Sequence, residues 1–302
     1  MQLLENARVQ GSVGDGMTSW YVLAVAALLL FGIERFLYKV SAERRCNTAW
    51  TTFSFMATVA VISTALFFLS DRHIPDLRFL FVISLINSAS FFLGTVSQIE
   101  ALKCIPTNIA YPVIRLNTIF VVLFSVIYFK DSLSITQITG IVTAICVIFW
   151  MTSQGYGSGA STSQVTKGLL LTGIALFSGA IAAISSKFAA VGTSTLGFIA
   201  LSYIMGSLLS LLSRKGLHSD TSNPNLKDAL KIGAAMGLVN MGGFYCFLSA
   251  LRTGPLSIII SIVGMHFIVA IVLAVLIYRE KITPSRIAGI LLTLVSIFLM
   301  RA

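Results

Sequence analysis

The sequence predicts an all-α integral membrane protein of about ten transmembrane helices, arranged as two inverted five-helix repeats. The composition is 56% hydrophobic and only 11% charged, and the mean hydropathy is +0.91. Such values lie far from those of soluble globular domains. Apolar runs of about the 20 residues that cross a bilayer follow one another along the chain. The second half also repeats features of the first at a constant spacing.

The predicted helices are the apolar runs between charged residues or Gly, Pro and Ser. In the first half they lie near 20–40, 47–69, 77–99, 106–129 and 134–152. In the second half they lie near 168–190, 195–213, 229–250, 256–278 and 284–301. Thr283-Pro284 is a favourable start for the last helix, because Thr can cap the first turn and Pro needs no N–H there. Ser134 occupies the cap position of the fifth helix.

A polar segment separates the two halves. Residues 153–166 are rich in Gly, Ser and Thr, which is the composition of a flexible linker. We therefore expect a first five-helix repeat at 20–152, a linker at 153–166 and a second five-helix repeat at 167–301.

The repeat is clearest where polar residues interrupt the apolar runs. A spacing of 149 residues relates Ala101-Leu102-Lys103 and Pro106 to Ala250-Leu251-Arg252 and Pro255, and Lys130-Asp131 to Arg279-Glu280. Chance similarity between apolar helices would not align a proline and a charge pair together. Because each copy holds an odd number of helices, the second must cross the membrane in the opposite direction to the first. Inverted repeats of this kind are frequent in secondary transporters.

Residues 105–111, Ile-Pro-Thr-Asn-Ile-Ala-Tyr, follow Ala101-Leu102-Lys103 and resemble the helix-loop-helix of small multidrug resistance proteins. The wider pattern, from about Tyr21 to the end, resembles the EamA-type drug/metabolite transporter superfamily. That resemblance implies a central cavity lined by helices one to four and six to nine, with helices five and ten at the periphery. Small multidrug resistance proteins carry a proton-binding glutamate eight residues before a lysine. Phe31 occupies that position here, and the acid present is Glu34.

Charged residues inside predicted spans are the first candidates for a functional site, because a charge in the bilayer usually faces a cavity, a partner or water. Glu34 and Arg35 lie within the first span, where they form either a cavity wall or a structural ion pair. Arg115 shares a helical face with Tyr111. Its guanidinium suits a carboxylate or phosphate, and the alternative is that it neutralises Glu34.

Uncharged polar residues complete the predicted cavity. The 149-residue spacing relates Asn117 to His266, which is either a packing residue or a proton carrier. Three amides, those of Asn87, Gln98 and Asn240, either bind substrate or bridge helices. Tyr245 lies near Asn240 in the sequence.

These features favour a secondary transporter of a small polar or amphipathic metabolite, with amino acid or organic acid export as one possibility. Multidrug or cation efflux with proton antiport is the alternative. An enzyme is not expected, because the three histidines are dispersed and no nucleophile with a base or metal motif is recognisable. A channel is a further alternative. No ATP-binding loop motif is present, so gradients are the simpler energy source.

The expected partners follow from the same features. They are a small-molecule substrate, the lipid bilayer of the cell (plasma) membrane and, as a coupling ion, protons. The net charge of +10 is scattered over short loops, which favours lipid headgroups and not nucleic acid as the anionic partner. No cofactor or metal is expected, and the chain is a monomer or a homodimer. The loop charges place both termini outside, whereas the family resemblance implies cytoplasmic termini.

Overall fold

The computed structural model describes residues 15–70, 74–105, 110, 113–114, 116–153, 162–213, 226–278 and 284–300. Most of these residues are helical, and no strand occurs among them. Six of the described helices are long and apolar enough to cross a membrane. The predicted all-α, multi-pass membrane class is therefore confirmed, while the count of ten spans and the inverted repeat stay predictions.

The helices are numbered here in chain order. They are α1 (Asp15–Glu43), α2 (Thr48–Leu69), α3 (Leu77–Cys104), α4 (Asn117–Phe124), α5 (Ile135–Ser153), α6 (Thr162–Gly192), α7 (Thr195–Leu212), α8 (Leu226–Thr253), α9 (Leu256–Gly264), α10 (Phe267–Tyr278) and α11 (Pro284–Leu299). A π-helical turn, Ser125–Phe129, continues α4. α6 begins inside the segment expected to be a linker, and α3 and α8 run several residues past their expected ends.

The ninth predicted helix is interrupted in the structure. Met265 N–H donates to the carbonyl of Ile262, and Ile268 N–H donates to the carbonyl of Met265, in the i→i+3 pattern of a 3₁₀ turn. The turn separates α9 from α10. An equivalent turn precedes α4, where Leu116 N–H donates to Val113 and Ile119 N–H donates to Leu116. These positions correspond at the same 149-residue spacing, so the two halves share this irregularity.

The helices pack in pairs that join the two halves of the chain. α1 packs on α8 and α3 on α6, while α2 lies against both α7 and α8. α4 contacts α9, and α5 contacts α11. Many large apolar side chains point outward, among them Leu69, Ile127 and Phe298, which are 84%, 76% and 70% exposed. Lipid is the solvent that suits such a surface, because its tails are as apolar as the side chains.

Candidate functional site

A cavity of about 120 Å³ lies between α1, α3, α4, α6, α8 and α9. Its polar wall is formed by Arg35, Asn87, Ser90, Thr95, Gln98, Asn117, Ser186 and His266. Its apolar wall includes Phe31, Phe91, Phe244, Phe247 and Ile260. An apolar cavity with a few convergent polar groups is the usual form of a small-molecule site.

Arg35 occupies the centre of the polar wall. Its Nε donates to Nε2 of His266 at 3.2 Å, and one terminal nitrogen donates to Oε1 of Gln98 at 3.0 Å. The guanidinium carbon also lies 4.5 Å from the centroid of the Tyr38 ring. These contacts tie α1 to α3 and to the α9–α10 turn. They hold a planar fork of donors, a group that matches carboxylates, at the cavity surface.

The same contacts indicate which ring nitrogen of His266 donates and which accepts. Its Nδ1 lies 2.6 Å from the carbonyl oxygen of Val263, which can only accept a hydrogen bond, so Nδ1 carries the proton. Arg35 can only donate, so Nε2 presents its lone pair. Protonation of Nε2 would remove the acceptor of Arg35 and place two cations side by side.

Glu34 is buried behind the cavity wall with no exposed surface. Its Oε2 accepts a hydrogen bond of 2.8 Å from Nδ2 of Asn240, and Oδ1 of Asn240 accepts one of 2.5 Å from the hydroxyl of Tyr203. Its Oε1 lies 4.0 Å from a terminal nitrogen of Arg35. The Glu34 network therefore joins α1, α7 and α8 and supports the arginine from behind.

Asn87 joins the two helices that form one side of the cavity. Its Nδ2 donates to the carbonyl oxygen of Ala182 at 3.0 Å and lies 2.9 Å and 3.1 Å from the hydroxyl oxygens of Ser185 and Ser186. This amide therefore fixes α3 against α6 while it lines the cavity.

The amide of Asn117 lies across from a glycine of α6. A Cβ atom on Gly179 would lie only 2.7 Å from Nδ2 of Asn117. A larger residue at position 179 would therefore displace this amide from its place in the cavity wall.

The structure brings together half of the ten residues predicted for the cavity. The five that line it are Arg35, Asn87, Gln98, Asn117 and His266. Glu34 and Asn240 lie behind the wall. Tyr245 is not a lining residue, and its side chain is 44% exposed. Tyr111 and Arg115 lie outside the described residues, so their roles stay predictions.

The sequence analysis missed the aromatic wall and several hydroxyl groups. Phe244 stacks on Phe91 and on Phe247 with centroids 6.3 Å and 6.2 Å apart, and Phe31 meets Phe247 edge to face at 6.1 Å. An aromatic residue in an apolar run gives no sign of whether it faces lipid or a cavity. Ser186 could have been noticed from the sequence, because it precedes Lys187, a charged residue within an apolar run.

No group of three or more His, Cys, Asp or Glu side chains that could hold a metal ion occurs in the described part of the chain.

Comparison with known proteins gives three findings. The profile of the EamA-like transporter family matches residues 18–153 and again residues 166–302. A protein of Archaeoglobus fulgidus named as an uncharacterized transporter is 23% identical over 227 residues, which cover 74% of this chain and 77% of that protein. A solved crystal structure aligns with a TM-score of 0.72 over 93% of this chain and 96% of the other, at 15% identity. That last likeness concerns the fold alone.

Proposed function

Because the chain belongs to the EamA-like transporter family, we propose that it is a secondary transporter of a small amphipathic metabolite with an anionic group, such as an amino acid or an organic acid. The observation that carries this proposal is the pairing of the Arg35 guanidinium with the aromatic wall in one cavity. The guanidinium suits a carboxylate, and the phenylalanine rings suit an apolar body. The compartment proposed is the cell membrane.

The dimensions of the cavity limit the ligand. An engineered cavity of about 150 Å³ holds one benzene molecule. The cavity described here, at about 120 Å³, therefore suits a ligand of about one ring or a short branched chain.

Alternating access of two inverted repeats is the transport mechanism proposed. Two observations support it. In the repeat, α1 corresponds to α6 and α3 to α8, so the α1–α8 contact is the counterpart of the α3–α6 contact. 3₁₀ turns also occur at corresponding positions in both halves. Sites at the interface of such repeats are typically built where helices are broken. His266 lies in one of these turns, and Asn117 directly follows Leu116 of the other.

Protons are proposed as the coupling ion, with His266 as the carrier. Proton binding at Nε2 removes the acceptor of Arg35 and so changes the group that meets the substrate carboxylate. Among the described residues, the charged groups around this nitrogen are Arg35 and, behind it, Glu34. Uptake into proteoliposomes should respond to an imposed pH gradient in the wild-type protein, and His266→Gln should bind substrate without that response. An equal response in both proteins would exclude His266 as the carrier.

Efflux of cations with proton antiport has less support. It would need an exposed carboxylate in the cavity, and Glu34 is fully buried with Oε2 bonded to Asn240.

A thermal-shift screen of the detergent-purified protein tests the proposed substrate class. Amino acids, organic acids, quaternary amines and nucleotides are compared on the wild type, on Arg35→Met and on the matched control Arg78→Gln, which removes an exposed cation. A ligand at about 100 times its dissociation constant adds about 2.7 kcal/mol of stability.

The expected result is stabilisation by anionic compounds that Arg35→Met loses and Arg78→Gln keeps. Stabilisation by cations alone, unchanged in Arg35→Met, would overturn the anionic assignment and favour cation efflux. Transport of the compound identified, unchanged in structure and driven by a gradient, separates a transporter from an enzyme and from a passive channel.

A further inference from the structure

A lysine of α6 contacts the turn between α8 and α9. Lys187 Nζ donates to the carbonyl oxygen of Leu251 at 2.7 Å and to that of Gly254 at 2.9 Å. Carbonyl groups in the last turn of a helix have no partner within the helix and form the negative end of its dipole. A cation is therefore well placed to hold the end of α8.

A carboxylate holds the other side of the same turn. Oδ2 of Asp131 accepts hydrogen bonds from the backbone N–H and the hydroxyl of Ser257, at 3.1 Å and 2.7 Å, and from the hydroxyl of Ser125 at 2.6 Å. Pro255, the residue that precedes α9, makes no side-chain cap bond. The first turn of α9 is therefore capped by a residue from the other half of the chain.

These contacts lie at one end of the cavity. Ser186, which lines it, is the neighbour of Lys187 in α6. Phe247 and Ile260 line it from the helices that enter and leave the α8–α9 turn. The Phe129 ring lies beside the lysine, with its centroid 5.9 Å from Nζ, and packs on Phe188 with centroids 5.1 Å apart. The contacts at Leu251 and Ser257 thus lie about one helical turn beyond Phe247 and Ile260.

We propose that Asp131, Lys187 and the α8–α9 turn (residues 251–257) form a gate that closes this end of the cavity and opens during the transport cycle. The proposal rests on the transporter function proposed above. The Asp131–Ser257 contact joins the two halves, so movement of one half against the other must break it.

The repeat supplies the same types of residue for the opposite end. The 149-residue spacing relates Asp131 to Glu280 and the α8–α9 turn to residues 102–108, and a spacing of 148 relates Lys187 to Lys39. Glu280 lies outside the described residues. Lys39 is near the end of α1 that is remote from the gate, where its Nζ lies 3.6 Å from Oε1 of Glu43.

The gate can be tested without knowledge of the substrate. In a background free of the native cysteines, Ser90→Cys places a small thiol on the cavity wall. A membrane-impermeant maleimide is applied to each side of sealed vesicles in turn. The side that labels a second reporter, Leu77→Cys, is the gate side, because Leu77 is 67% exposed and α3 begins where α6 ends, as the contact of Phe79 with Gly192 shows.

Asp131→Asn and Lys187→Met are compared with the matched control Asp76→Asn. Asp76 caps α3 at the same end of the bundle through the N–H groups of Arg78 and Phe79, and it is not one of the gate residues. We expect both gate variants to raise the labelling rate of Ser90→Cys from the gate side by about tenfold, the factor that about 1.4 kcal/mol produces. The control variant should leave the rate unchanged.

Two results would overturn the gate. One is an unchanged labelling rate in Asp131→Asn and Lys187→Met, which would make the contacts purely structural. The other is an equal rise in all three variants, which would indicate general loosening. If Asp131→Asn does not fold, Lys187→Met decides. Because labelling needs no substrate, failure of the gate and failure of the proposed function are distinguishable.

Discussion

Replacement of Asn240 tests the Glu34 network most directly. Asn240→Leu keeps a side chain of similar shape and removes both hydrogen bonds, to Glu34 at 2.8 Å and from Tyr203 at 2.5 Å. The partners are 0% and 3% exposed, so water cannot replace the lost bonds. The substitution therefore leaves Oε2 of Glu34 without its Asn240 donor.

The expected cost is about 2 kcal/mol. A hydrogen bond to a charged group contributes about 1.5–3 kcal/mol in soluble proteins, whereas interhelical bonds in membranes average about 0.6 kcal/mol and reach about 1.7 kcal/mol. The charge-assisted bond from Asn240 belongs near the upper membrane value, and the Tyr203 bond near the average. The melting temperature should then fall by about 4–8 °C, on the scale of about 2–4 °C per kcal/mol.

The assay is thermal unfolding of the detergent-purified protein, followed by intrinsic tryptophan fluorescence. Ser202→Ala is the control, because Ser202 is 3% exposed, neighbours Tyr203 and has a hydroxyl without a hydrogen-bond partner among the described residues. It should change the melting temperature by less than about 1 °C. Asn240→Leu should also cost less when Glu34 is already Gln. An Asn240→Leu protein that melts within about 1 °C of the wild type would refute the role of the network.

Two further predictions concern the cavity wall and a buried thiol. Gly179→Ala should displace the amide of Asn117 and weaken substrate binding severalfold with little loss of melting temperature. The control Gly173→Ala, where a Cβ meets nothing within 4 Å, should bind substrate as the wild type does. Equal affinity in the two variants would contradict this interpretation. Burial raises the pKa of the Cys46 thiol in the α1–α2 loop, and the thiolate is the reactive form. The rate at which maleimide labels Cys46 in the folded protein, measured by mass spectrometry, should therefore still rise with pH above about 8.5, the ordinary pKa at which the rate for an exposed thiol levels off. A rate that levels off in that ordinary range would argue against a raised pKa.

The membrane class could be predicted from the sequence because successive apolar runs of spanning length are typical of membrane proteins and rare in soluble ones. The presence of Glu34 and Arg35 within the first span followed from length alone. Length did not show which of the two faces the cavity. Neighbouring residues on a helix point in directions about 100° apart, and the residues that bond to Glu34 and Arg35 come from other helices. In the structure Arg35 bonds to Gln98 on the cavity side, and Glu34 bonds to Asn240 behind the wall.

Two features escaped prediction for a physical reason. Periodicity identifies the buried face of a helix in water, but in lipid both faces of a helix are apolar, so the rings of Phe91 and Phe244 carried no signal. The break between α9 and α10 also lacks a proline. Gly264 precedes it there, while Arg115 holds the equivalent position in the first half, so the two copies share no residue that marks it.

The 3₁₀ turn at Met265 gives α9 a pivot in the middle of the bundle. Its i→i+3 hydrogen bonds keep backbone groups paired, so bending there need not expose them to lipid. The nine residues of α9 span about 13 Å, at about 1.5 Å per residue. On that length a bend of about 10° would carry the far end of the helix sideways by about 2 Å. That displacement is comparable to the 2.7 Å hydrogen bond between Ser257 and Asp131, so a slight change of angle beside His266 is enough to break this contact at the far end of α9.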